Sequence, residues 1–126
     1  MDRIPKDHPR YQSLIAREKL VAAGELVASA GLIAHGRGEA FNYMLGEKTT
    51  DPAHCAINAA AGLLCNARQP VISANGNTVV LAGPAIAELA TTLPARVEVN
   101  LFHRSSARVG GLVALLRQAG IEPLGE

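Results

Sequence analysis

The sequence contains no tryptophan, two tyrosines and two phenylalanines, so it has almost no material for an aromatic platform that stacks single-stranded nucleic acid. It also lacks an excess of either charge. Twelve Lys and Arg against eleven Asp and Glu leave a formal net charge of +1, which gives no polycationic face for a phosphate backbone. Nucleic acid is therefore not expected as a partner. No apolar run approaches the ~18 residues that a membrane-spanning helix needs, and the opening MDRIPKDHPR carries charges where a secretory signal has a hydrophobic stretch. No membrane partner is expected, and the sequence reads as cytoplasmic. The two cysteines, Cys55 and Cys65, fall in one apolar helical segment. At 1.5 Å per residue their α-carbons would lie about 15 Å apart, beyond disulfide reach, and both read as buried small hydrophobes. Familiar motifs are missing too: no GxxxxGK[ST] phosphate loop, no GxGxxG fingerprint, no nucleophile elbow and no Cys/His zinc pattern. His8 and His54 have no partner at metal-ligand spacing and read as capping or surface groups.

What is present is an ordinary globular composition, 48% hydrophobic and 18% charged over 126 residues, enough for one domain. DHPRYQSLIAREKLVAAGELVASAG predicts a helix entered near Asp7 or His8 and ended at Gly31 or the Ser-Ala before it, with Gly24 weakening it. Ile15, Leu20, Ala22, Ala23, Leu26 and Val27 share its main apolar arc. GRGEAFNYMLGE predicts a shorter helix bounded by glycines. TTDPAHCAINAAAGLLCNARQP predicts a third, capped by Thr50 or Asp51 with Pro52 in its first turn. The rhythm then changes. VIS at 71–73 and RVEVNLF at 96–102 read as strands, separated by a helix that breaks at Gly83 and restarts at Pro84. A further helix follows, capped by Ser105 or Ser106, and IEPLGE suits the start of a third strand. The expected fold class is α/β: a helical region over 1–69 followed by a parallel βαβα unit over 70–126, within one structural domain. Two strands and a stub leave unpaired backbone along an edge, so the sheet reads as incomplete.

Three polar clusters fall where such a topology places ligands. In VISANGNT, a strand runs into Asn75, Gly76, Asn77 and Thr78 and then into a helix, whose free N–H groups and positive dipole end suit an anion. The same residues also read as a tight turn with an N-cap. VNLFHRSS repeats the pattern: Asn100, His103 and Arg104 end the second strand, with Arg104 able to pair with phosphate and His103 able to exchange a proton. The bland reading there is a capped, solvated loop. In AHGRGEAF, Gly36 and Gly38 flank Arg37, which predicts sharp turns that fix a guanidinium toward phosphate. Glu39 is placed to orient that arginine or to help hold magnesium; otherwise it is a first-turn helix carboxylate, and His35 a satisfied core imidazole. Arg17 has no acidic residue three or four positions away on its own helix.

IPKDHPRYQSLIAREKL, GLIAHGRGEAFNYMLGE, PVISANGNT and VEVNLFHR, in this order, resemble the archaeal phosphopantothenate synthetase family, also called 4-phosphopantoate–beta-alanine ligase. The resemblance spans nearly the whole chain and implies a Rossmann-like core and a homodimer. It implies a ligase of coenzyme A biosynthesis that joins 4-phosphopantoate to beta-alanine through an acyl-adenylate, with ATP as co-substrate, AMP and pyrophosphate as products, and magnesium as the accompanying ion. Arg17 and Arg37 match the two front-half arginines that contact ATP. On this reading Gly36, Glu39, Asn75, Gly76, Asn77, Thr78, Asn100 and Arg104 bind the substrate, and His35 and His103 are the catalytic candidates. The family is markedly longer, so the resemblance is to its first half. The competing expectation is a catalytically silent module that dimerises or binds a phosphorylated metabolite.

Overall fold

The computed structural model describes residues 4–124. Helices α1 (Tyr11–Ala22), α2 (Ser29–Met44) and α3 (Asp51–Asn66) come first, with a 3₁₀ turn at Gly24–Leu26 between α1 and α2. Strand β1 (Val71–Ala74), helix α4 (Gly76–Thr92), strand β2 (Arg96–Val99) and helix α5 (Ser106–Gln118) complete the order. The strands are parallel, with Val71 opposite Arg96 and Ala74 opposite Val99. Leu124 adds one parallel bridge to Glu98, where IEPLGE predicts a third strand; Gly125 and Glu126 lie outside the described residues. The fold class is thus the expected one, a mixed α/β unit with an open parallel sheet.

The local signals explain most of the elements. Asn75 caps α4 by accepting from the Thr78 N–H at 3.0 Å, and Ser105 caps α5 by accepting from the Arg108 N–H at 3.3 Å. α4 kinks where Gly83-Pro84 predicts a break: Ala82 leaves helical geometry at φ −127°, and Pro84 has no N–H to continue the ladder. Strand alternation assigns the faces. Ala74, Val97 and Val99 turn inward onto Val79 and Ile86 of α4 and onto Leu112 and Leu116 of α5. The outer face carries Ser73 and Glu98, whose side chains are bonded at 2.8 Å. Both crossover helices pack on each other, so the core lies on one side of the sheet.

The front half departs from the expected pattern. The first helix ends at Ala22, because Gly24 takes a left-handed φ of +57° and turns the chain. Gly31, Gly36 and Gly38 are all interior to α2, so the HGRGEAF segment is a helix rather than a set of turns. β2 spans four residues, shorter than RVEVNLF. Cys55 and Cys65 are exposed, not buried, since α3 has no buried residue at all and leaves Ile57 and Leu63 open to solvent. No helix among the described residues is long and apolar enough to cross a membrane.

Candidate functional site

The helical front half meets the back half where α1 packs on α4 and where the 3₁₀ turn meets α5. The 3₁₀ turn packs against α5, and Arg108 spends its guanidinium on three carbonyls: Nε donates to Glu25 O at 3.0 Å, Nη2 to Leu26 O at 3.2 Å, and Nη1 to His103 O. Two glycines make this approach possible. A Cβ at Gly76 would sit 2.6 Å from the Leu26 carbonyl oxygen, and one at Gly111 would sit 2.4 Å from Leu26 Cδ2. From this junction α2 runs over the start of α4, where Asn77 Nδ2 donates to Gly31 O at 2.9 Å. A Cβ at Gly31 would collide with the Asn77 side chain at 2.5 Å.

The junction encloses a hollow of about 420 Å³ at the carboxyl ends of both strands. Ala28, Ala34 and Leu101 give it an apolar wall, while Asn75, Asn77 and His103 supply polar atoms. Asn75 closes the third N–H of α4, leaving the Gly76 and Asn77 N–H groups without an acceptor among the described residues. Such unpaired N–H groups at the positive end of a helix dipole favour an anion. A ligand with one negatively charged end and a branched aliphatic body fits this lining.

A second cluster lies on another face of α2. Glu39, its side chain 1% exposed, places Oε2 3.2 Å from Arg10 Nη2 and in contact with Arg17 Nη2, and Oε1 3.2 Å from His35 Nε2. Gly36 lets Arg17 lie across α2: a Cβ there would meet Arg17 Nη2 at 3.3 Å. Glu39 therefore orients an arginine, but it is Arg17 across the helix interface rather than Arg37 beside it. It does not fit the role of magnesium ligand, because its buried carboxylate is enclosed by three basic side chains.

The predicted site residues thus divide. Asn75, Gly76, Asn77 and His103 line the hollow, with Thr78 fastened to Asn75 at its edge. Arg104 lines the adjoining grooves along α5. Asn100 donates to Ser73 Oγ at 3.3 Å on the outer sheet face and is not brought into the hollow. Arg17, His35, Gly36 and Glu39 form the second cluster, and Arg37 is exposed on α2 outside both. Sequence reasoning missed Arg10 and Arg108. Arg108 acts on backbone carbonyls more than 80 positions away, for which no pattern exists; Arg10 had a signal in HPRY, next to a helix start.

A parallel α/β unit with a mainly apolar hollow and unpaired helix N–H groups at its strand ends defines a Rossmann-like protein of the class that receives small ligands at that edge. The comparisons narrow it. Residues 52–125 match the model of the family described as phosphopantothenate/pantothenate synthetase, and the chain belongs to that family. It is 55% identical over 120 residues to a 4-phosphopantoate--beta-alanine ligase of Methanospirillum hungatei, covering 94% of this chain and 49% of the relative. Proteins of the same name from Thermococcus onnurineus and Methanosarcina mazei are 49% and 48% identical, over 94% and 95% of this chain and 46% and 48% of theirs. The chain spans about half the length of these curated relatives.

The junction makes a stability prediction. Gly76→Ala, which drives a methyl group into a backbone carbonyl, should destabilise by about 1–3 kcal/mol, and Arg108→Ala by about 1–3 kcal/mol through its lost charge-assisted hydrogen bonds. Gly110→Ala, with open space around the added Cβ, should be neutral or stabilising by up to about 1 kcal/mol. Urea denaturation measures all three, and a Gly76→Ala protein as stable as wild type contradicts the packing described.

Proposed function

We propose that the polypeptide carrying this chain joins 4-phosphopantoate to beta-alanine with ATP, forming 4'-phosphopantothenate, AMP and pyrophosphate. The observation that carries this reading is the composition of the strand-end hollow in a chain whose relatives bear that ligase name. Phosphopantoate has a phosphate at one end, a gem-dimethyl carbon in the middle and a carboxylate at the other. Its phosphate suits the open N–H groups of Gly76 and Asn77, and its methyl groups suit the wall of Ala28, Ala34 and Leu101.

The chemistry proposed is two displacements. A phosphopantoate carboxylate oxygen attacks the α-phosphorus of ATP, the bond to pyrophosphate breaks, and an acyl-adenylate forms. The beta-alanine nitrogen then attacks the acyl carbon, the bond to AMP breaks, and the amine gives up a proton. His103, on the hollow's lining, is the group assigned to take that proton; His35 belongs to the arginine cluster. Bringing two polyanions together requires fixed positive groups. Arg17 and Arg37, both on the front helices, are assigned to ATP.

A homodimer is part of the proposal, and α3 is the surface that fits it. Helix α3 gathers Asp51, His54, Asn58 and Asn66 on one side and leaves a broad apolar side, with Ile57 and Leu63, exposed, a surface that is normally buried. Sedimentation of the full-length polypeptide should give twice the monomer mass, and Leu63→Lys should lower it; a wild-type monomer overturns this part.

Activity is read by AMP release. The full-length polypeptide should release AMP only when ATP, 4-phosphopantoate and beta-alanine are all present, and Arg37→Ala should reduce turnover at least tenfold, an estimate of about 1.4 kcal/mol. The competing reading is a catalytically silent module that dimerises or binds a phosphorylated metabolite. AMP release independent of beta-alanine, or none at full length, contradicts the ligase.

A further inference from the structure

Two guanidinium groups share one carboxylate oxygen at the α1–α2 interface. Arg10, the residue that precedes α1, and Arg17, nearly two turns later, both reach Oε2 of Glu39. One carboxylate answers two cations, so the Arg10–Arg17–Glu39 group carries a formal surplus of one positive charge. The compensation is entirely on the inner side: the Glu39 side chain is 1% exposed, whereas those of Arg10 and Arg17 are 31% and 46% exposed. Like charges held side by side repel, and that repulsion is relieved when an anion bridges their outer edges.

Arg10 is also held more rigidly than a surface arginine needs to be. Its guanidinium carbon lies 5.8 Å from the centre of the Tyr43 ring, within cation–π range. Its Nε is buried with no hydrogen-bond partner, a cost that a freely rotating side chain would avoid by turning to water. Tyr43 and Glu39, both on α2, therefore fix the guanidinium plane from two directions. A forked donor with a fixed plane, next to a second one, is the arrangement that recognises adjacent phosphate oxygens.

We propose that Arg10 is a further polyphosphate-gripping arginine of the nucleotide site, and that Glu39 is the positioning residue that holds it beside Arg17. The proposal rests on the reading that Arg17 contacts ATP. It adds a residue from the HPRY segment to that site and gives the buried carboxylate a function other than metal binding. A Cβ at Gly36 would press on Arg17, whose Nη2 lies 3.3 Å from its position.

The test is calorimetric titration of the full-length polypeptide with ATP and, separately, with inorganic pyrophosphate. Arg10→Ala and Arg17→Ala should each weaken both titrants by about tenfold, the lower end for losing charge-assisted hydrogen bonds. Arg10→Lys, which keeps the charge but not the fork, should lose about threefold and covers the case in which Arg10→Ala does not fold. Glu39→Gln should weaken both titrants in the wild-type background, yet add less than twofold in an R10A/R17A background. A merely structural carboxylate would weaken binding equally in both backgrounds and overturns the positioning role. If Arg17→Ala weakens binding while Arg10→Ala and Arg10→Lys do not, the proposal fails and the Arg17 reading stands. If Arg17→Ala binds as tightly as wild type, or wild type binds neither titrant, that reading fails and the proposal with it.

Discussion

The contact on which the rest of the molecule depends is the fastening of the 3₁₀ turn to the start of α4 and α5. Two carbonyls of that turn, from Glu25 and Leu26, and the His103 carbonyl converge on one guanidinium, Arg108. Leu26 fits between Gly76 and Gly111, where any side chain would collide. Together with the Asn77–Gly31 hydrogen bond and the packing of α1 on α4, this junction holds α2 over the strand ends, where Ala28 and Ala34 form a wall of the hollow. Hydrogen bonds from a guanidinium are charge-assisted and contribute more each than neutral ones, about 1.5–3 against about 0.5–1.5 kcal/mol.

Helix α2 then serves two clusters at once through its 3.6-residue period. Gly31 and Ala34 turn to the hollow beside α4, while His35 and Glu39 turn to α1. A single helix thereby couples the place suited to a phosphorylated acid with the place suited to nucleotide phosphates. In the proposed reaction those are the two partners that must meet. The helix needs small residues at its crossings for this, Gly31 against Asn77 and Gly36 against Arg17.

Much of the back half was legible because its signals are local. The βαβα order, the Asn75 and Ser105 caps and the Gly83-Pro84 kink depend on neighbouring residues only. The front half was harder to read for the opposite reason. Gly31, Gly36 and Gly38 look like turn residues in isolation, whereas the first two are small because another element passes close by. The resemblance drew attention to Arg17, but not to its partner: Glu39 stands beside Arg37 in sequence and beside Arg17 in space. The exposure of Cys55 and Cys65 was likewise not readable, since an apolar helix shows what it can bury and not whether its own chain covers it. Asn100 fell on the outer face because β2 keeps its alternation to the end, a register that the strand pattern already held.

The central claim is that the hollow between α2 and the strand ends receives the phosphorylated acid. It is tested most directly by backbone amide chemical-shift mapping of the full-length, isotope-labelled polypeptide titrated with 4-phosphopantoate. The account predicts the largest saturable shifts at Gly76, Asn77 and Thr78, with accompanying shifts at Leu101 and His103. Saturable binding that leaves those amides unmoved would contradict it.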